Sequence, residues 1–308
     1  MKHLFGPVPS RRLGISLGID LTPQKVCTLN CLYCECGKTD VLTLERKEYV
    51  PTAEVIDELR AYLSTGPELD AVTFSGSGEP TLHSGVGDII AFLKKEFPQY
   101  RVVMLTNSTL LHLPEVRAAL MPADLVVPSL DAVSDEVFRK INRPQSKLNS
   151  AQLIEGLAAF CQEFSGEVWL EVFLIPGLND TAEELALFRS VFDRLRVDRI
   201  QLNALDRPGA VDWIEPMPRE NLEAIAHELG DKVEVIGKAI LRRSVASFSE
   251  NTRDDIVATL RVRPCTLDDL ATSLGLHTLD AGKYLDVLLG ENVIEQQRGE
   301  RGVFYRVK

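Results

Sequence analysis

KVCTLNCLYCECGKT, residues 25–39, holds four of the chain's six cysteines within ten positions: Cys27, Cys31, Cys34 and Cys36. The stretch follows directly on LGISLGIDLTP, a β-rich run that reads as a strand, so the cysteines lie on the loop at that strand's C-terminal end. Structural zinc usually takes two cysteine pairs separated by a longer loop, so that four ligands approach one ion tetrahedrally. Here the gaps are three, two and one, and four adjacent ligands on one short loop would be strained around a single ion. An iron–sulfur cluster spreads its ligands over several irons and fits better. Four cysteines would complete a [4Fe–4S] cluster, whereas three leave one iron for an exogenous ligand.

Outward from the loop, β-rich runs alternate with amphipathic helical ones from about residue 15 to 240. The strand candidates are LGISLGIDL, DAVTFSG, RVVMLTN, ADLVVPSLD, VWLEVFLIPG and DRIQLNAL, with KVEVIGK as an added edge strand. Their weak alternation suits parallel strands covered on both faces. Between them TAEVIDELRAYLST puts Val55, Ile56, Leu59 and Leu63 on one face, with Thr52 as N-cap, and Ser134 and Thr181 are N-caps of later helices. The expected fold is α/β, a partial (β/α)6 TIM-like barrel over residues 1–243, whose active residues gather at the strands' C-terminal ends. Residues 244–308 read as three helices and a hairpin that turns at RGERG, with Val303, Tyr305 and Val307 alternating on its second strand. This is the pattern of a small winged helix-turn-helix domain.

No apolar run approaches the eighteen or so residues that span a bilayer, and MKHLFGPVPSRRLG has no apolar signal-peptide core. The expected location is cytoplasmic and reducing, where clustered cysteines are metal or redox ligands more often than disulfides. Cys161 and Cys265 stand alone and read as small buried hydrophobes. The net charge of −11 argues against a protein coated for nucleic acid. Residues 1–50, however, hold seven Lys/Arg against five Asp/Glu, which makes +2 there and −13 for the rest. Arg11 and Arg12 belong to this basic part, which could draw in an anionic substrate or cofactor. The expected recognition helix of the tail carries only Lys283 against Asp280, Asp286 and Glu291, a poor composition for DNA binding.

C-x3-C-x2-C with Tyr33 just before its last cysteine, after the first strand of a (βα)6 pattern, resembles the radical SAM enzymes. FSGSGEPTL resembles their Gly-Gly-Glu-Pro motif, with Ser77 where a second glycine is commoner. LTNSTLL, VPSLDAVSDEVFRKINRP, FLIPGLND and IQLNALDRPG resemble the motifs that follow, Phe173 replacing a glycine of the adenine-packing one. The resemblance covers about residues 5 to 240. It implies that Cys27, Cys31 and Cys34 hold a [4Fe–4S] cluster whose free iron chelates S-adenosylmethionine. Gly76, Ser77, Gly78 and Glu79 would receive its amino group, Ser129 and Asp131 the ribose hydroxyls, and Tyr33 and Ile175 the adenine. Asn107 is assigned to the cofactor or substrate. Glu171, Asn203, Cys36, Arg11 and Arg12 are candidates on the substrate side, although Cys36 reads best as structural. An external one-electron reductant of the flavodoxin or ferredoxin type would reduce the cluster. Reductive cleavage would then yield a 5′-deoxyadenosyl radical that abstracts hydrogen from substrate.

The opening FGPVPSRRLGISLGIDLTPQKVCTLNCLYC resembles the small iron–sulfur oxidoreductase branch of that superfamily, related to the wyosine-base synthases that remodel a guanine in tRNA. A tRNA base is the first substrate it implies. A peptide, protein or small metabolite is the alternative, and a non-catalytic iron–sulfur transcription regulator is a third reading.

Overall fold

The computed structural model describes residues 2–22, 25–236, 252–276 and 278–308. The expected domain boundary at 243/244 lies outside them. The chain opens with β1 (Leu4–Ser10) and β2 (Gly14–Asp20), paired antiparallel from Leu4↔Ile19 to Ser10↔Gly14. Two-residue strands β3 (Val26–Cys27) and β4 (Val41–Leu42) then pair parallel and bracket the cysteine loop. Alternating units follow: α1 (Thr52–Leu63), β5 (Ala71–Ser75), α2 (Val86–Glu96), β6 (Arg101–Thr106), α3 (Pro114–Leu120) and β7 (Leu125–Pro128). After β7 come α4 (Asp135–Ile141), α5 (Ser150–Glu163), β8 (Glu167–Phe173), α6 (Ala182–Phe192), β9 (Arg199–Asn203), α7 (Arg219–Leu229) and β10 (Val233–Val235).

The sheet runs β1-β2-β5-β6-β7-β8-β9-β10, parallel from β2 onward. It is open, with β1 and β10 at its edges. All six expected strands are present and the edge strand is β10. The strand β1 is an addition, because Pro7 and Pro9 argue against a ladder; at a sheet edge, with the register shifting between Phe5 and Val8, a missing N–H is tolerated. Alternate side chains serve two faces. Val72, Phe74, Val102, Met104, Val126 and Leu170 join the main core. Ala71, Val103, Leu125, Val127 and Trp169 form a second cluster on the opposite face. Stepping by two from that second cluster toward the strand ends reaches Asn107, Ser129 and Glu171, so this face turns from apolar to polar at one rim.

Ser134 and Thr181 cap α4 and α6 as expected, accepting from Val137 N–H and Glu184 N–H. Thr181→Ala is expected to cost about 1 kcal/mol in chemical denaturation; an unchanged midpoint would remove the cap from the account. Thr52 is not an N-cap: Pro51 takes that position, and the Thr52 hydroxyl donates to Glu48. The helix α7 escapes the sequence reading because only Leu222, Ala226 and Leu229 mark its buried face.

The C-terminal residues form α8 (Thr252–Val262), β11 (Cys265–Thr266), α9 (Leu267–Ser273), α10 (Thr278–Gly290), β12 (Ile294–Gly299) and β13 (Gly302–Val307). The three strands are ordered β11-β13-β12, around a core of Ile256, Leu260, Leu270, Leu285, Leu288 and Ile294. Thr266 and Asp269 close a capping box at α9. The hairpin turns at Glu300–Arg301 between paired Gly299 and Gly302. On its second strand the buried residue is Phe304, fully enclosed, whereas Val303 is 38% exposed. Tyr305 and Val307 do pack on the local core. The unit leans on β1, where Val262 clusters with Phe5 and Val8.

Candidate active site

The loop after β5 and the cysteine loop are built against each other. Gly76, at φ +110°, lies over Asp20, where a Cβ would sit 2.6 Å from Oδ1. Ser77 donates to Asp20 Oδ2 through its N–H (3.2 Å) and its hydroxyl (2.6 Å), so the serine in the glycine position anchors the turn to the end of β2. Gly78 approaches the backbone of Val26, and Glu79 N–H donates to Val26 O at 3.1 Å.

Glu79 is almost fully buried. Its Oε1 accepts from Thr81 N–H, Thr81 Oγ1 and Thr106 Oγ1, and its Oε2 accepts from Asn107 N–H at 2.8 Å. Burial raises its pKa, and these hydrogen bonds counter the rise. Asn107 faces the cysteine loop: its Nδ2 donates to Thr28 Oγ1 (2.8 Å) and Cys27 Sγ (3.5 Å). On the other side Asn142, at the end of α4, donates to Cys31 Sγ (3.3 Å) and Asp131 Oδ2 (2.7 Å). Backbone bonds Asn30 N–H to Asn142 O and Leu32 N–H to Ile141 O hold the loop there. Asn142 and Asp20 were not singled out from the sequence, although INRP closes the fourth-strand motif and Asp20 ends the first strand.

The thiols differ. Burial pushes Cys27 up to about 12, and both burial and Asp131 hold Cys31 well above its ordinary value. Cys34 is lowered, chiefly by the adjoining Cys36 thiol and further by Lys25, and Cys36 is raised by the same contact. Burial draws Lys25 down, but Cys34 and Cys36 outweigh it and hold its ammonium above the usual value.

Several expected roles need correction. Tyr33 and Ile175 lie in one apolar cluster. The Tyr33 ring stacks on Phe173, centroids 3.8 Å apart, and Ile175 is buried in a cluster with Leu32, Ile141 and Ile214. Asp131 accepts from Phe173 N–H at Oδ1 and from Tyr33 Oη and Asn142 at Oδ2. A carboxylate offers about four lone-pair sites, so it cannot serve two ribose hydroxyls while these bonds stand. Burial pushes its pKa to about 6. Ser129, half-buried at the end of β7, uses its backbone O to accept from Ser108 Oγ.

The arginines expected at the entrance are paired. Arg12 pairs with Glu171, which also accepts from Asn203 Nδ2 at 2.8 Å. Burial would raise the Glu171 pKa, but Arg12 lowers it on balance. Arg11 lies 4.0 Å from Asp206, and Arg207 pairs with Glu35 at 3.0 Å. Cys36 turns away from the other cysteines' braces, its Sγ donating to Val262 O of α8 at 2.7 Å. Arg301 of the hairpin turn bridges Asp206 and Asp269, tying the C-terminal unit to the loop after β9.

Among the described residues no three His, Cys, Asp or Glu side chains converge as ligands of one ion. Three half-buried thiols on one loop, two of them accepting from amide N–H groups and the third beside a buried ammonium, suit thiolates that each bind a different iron. No described helix is long and apolar enough to cross a membrane.

The family model of the radical SAM superfamily matches residues 21–188. The chain belongs to the radical SAM superfamily. It is therefore an enzyme of radical SAM type, whose cofactors are a [4Fe–4S] cluster and S-adenosylmethionine. Similar relatives include a UPF0026 protein of Helicobacter pylori J99, 37% identical and covering 94% of this chain and 93% of that protein. Another, from Methanocaldococcus jannaschii, is 32% identical over 86% of this chain and 83% of its own length. A Brachyspira hyodysenteriae protein named GTPase Obg is 34% identical over 96% of this radical SAM chain, which spans only 44% of that relative. Among solved structures, a radical SAM methyltransferase from Sphaerobacter thermophilus shares the fold at a TM-score of 0.54 and 20% identity, over 71% of this chain and 66% of that one.

Proposed function

We propose that Cys27, Cys31 and Cys34 hold three irons of the cluster and that the fourth iron is left to S-adenosylmethionine. The observation that carries this reading is the pair of asparagine N–H groups aimed at Cys27 and Cys31 from opposite sides of the loop. When bound, the cluster and S-adenosylmethionine supply one-electron cleavage of the sulfonium and a 5′-deoxyadenosyl radical that takes hydrogen from substrate. The chain's own residues orient and shield. Glu79 Oε1 is occupied by three donors, so Oε2 is the oxygen with room for an ammonium group. The hydroxyl of Ser129 suits a ribose hydroxyl, with Asp131 contributing at most one further acceptor site. The stacked pair Tyr33 and Phe173 walls the site against water.

Asn107 acts through Cys27. Asn107→Ala should weaken cluster retention by roughly 10–100-fold, read as iron remaining after a timed chelator challenge. Retention equal to wild type would make the contact incidental.

The C-terminal unit is a winged helix spanning 244–308 beside a radical SAM domain spanning 1–243, and an external one-electron reductant feeds the cluster. The wyosine-synthase resemblance makes a tRNA base the first substrate to test. Among the described residues, Arg11 and Arg12 are engaged in ion pairs and so are less free to attract an anionic substrate. A peptide or small metabolite is favoured instead by a cavity of about 550 Å³ between the loop after β9 and the hairpin, lined by Pro208, Val211, Ile214, Gln297 and Arg298. Its volume falls in the ordinary range for small-ligand sites. Anaerobic 5′-deoxyadenosine formation with and without bulk tRNA separates the two. Stimulation by tRNA supports the base, and a reductant-dependent rate indifferent to tRNA supports the cavity reading. A cluster-loaded protein that forms no 5′-deoxyadenosine would sink the radical mechanism.

A further inference from the structure

Lys25 stands two residues before Cys27 and is 5% exposed, with a left-handed backbone at φ +47°. Its carbonyl accepts from Asp40 N–H, which fixes the backbone at the root of the cysteine loop. Its ammonium makes no hydrogen bond of good geometry to a described residue and lies beside the Cys34 thiol. The groups that face it are the thiols of Cys34, Cys36 and Cys27. Burying an ammonium without a counter-charge is strongly unfavourable, and the negative charge within reach is what this loop's sulfurs supply as thiolates. The arrangement makes physical sense when the loop carries negative charge, as it does once its thiolates hold iron.

We infer that Lys25 supplies the fixed positive charge that balances a cluster held at Cys27, Cys31 and Cys34 and keeps its reduction potential up. The inference rests on the ligand assignment proposed above. One-electron reduction adds negative charge to the cluster, and a cation held close by in a low-dielectric site favours the reduced form. Arginine preserves the charge, whereas methionine preserves most of the length and removes the charge.

The test uses the full chain, reconstituted anaerobically as wild type, K25M and K25R. Iron and sulfide are quantified, and the midpoint potential is measured by dithionite titration followed by electron paramagnetic resonance without S-adenosylmethionine. The expected result is a K25M reduction equilibrium weakened at least tenfold, about 59 mV for a one-electron couple, with K25R close to wild type. Cluster loss in K25M that K25R rescues also supports charge balance. An unchanged potential in K25M, or cluster loss in both variants, overturns the role of Lys25. A wild-type chain that holds no iron overturns the ligand assignment itself.

Discussion

Cys31→Ala is expected to abolish the iron–sulfur chromophore, taking bound iron from about four per chain to background, and to end all formation of 5′-deoxyadenosine. Cys36→Ala should keep both. The contrast follows from where the two thiols point. Cys31 accepts from Asn142, which also holds Asp131, so that the ligand, the end of α4 and the end of β7 are tied together. Alanine leaves one corner of the cluster without a ligand. Cys36 instead donates to the Val262 carbonyl in the C-terminal unit at 2.7 Å, and its sulfur lies 3.6 Å from Gly76 O. Losing that weak donor should loosen the contact with α8 and leave the three ligands in place. Iron content measured side by side decides the matter. If Cys36→Ala empties the protein as thoroughly as Cys31→Ala, the ligand set is wrong.

The second large effect is expected at Gly78. A Cβ there would lie 1.9 Å from Val26 O and 2.8 Å from Thr22 Oγ1. The obstructing atom is backbone and cannot rotate aside. Gly78→Val must therefore push the loop after β5 off the root of the cysteine loop, breaking the Glu79 N–H to Val26 O bond on the way. Overpacking of this kind costs about 1–3 kcal/mol in stability. A displacement of ~1 Å at a reacting centre costs about 100-fold in rate. Ser77→Gly is the control, since it removes the hydroxyl's bond to Asp20 and adds no volume. Equilibrium binding of S-adenosylmethionine to the two variants, at matched iron content, should be lost in the first and retained in the second. Equal binding would mean that this close approach does not position the cofactor.

Local chemistry was legible in the sequence where it was carried by spacing. Three cysteines, a Gly-Ser-Gly-Glu-Pro turn and asparagines at strand ends are short-range patterns, and each lies on the same rim of one sheet. The strands themselves were legible because parallel strands buried on both faces are runs of Val, Leu and Phe. Pairing across long separations was not legible. Arg11 and Arg12 count as charge in the sequence, yet the partner of Arg12 is 159 residues away, and the pair offsets its charge. The partner of Cys36 is 226 residues away. In the final hairpin, alternation alone favoured Val303, Tyr305 and Val307. Phe304 is the residue fully buried, on the opposite face of the strand, where a guanidinium also covers its ring. Asn142 and Asp131 have the same lesson for the site. Their residue types suit ligand binding, but Asp131 spends three acceptor sites and Asn142 both amide N–H groups inside the protein, while Asn142 Oδ1 has no partner among the described residues.

The central claim is that three cysteines hold the cluster and one iron stays open to S-adenosylmethionine. Electron paramagnetic resonance of the dithionite-reduced protein, recorded with and without S-adenosylmethionine, tests it most directly. Three cysteine ligands and one open iron give a [4Fe–4S] signal whose g-values shift when S-adenosylmethionine is added, and no such signal in Cys31→Ala. A wild-type spectrum indifferent to S-adenosylmethionine at saturating concentration would contradict it, since no iron would then be open to the ligand.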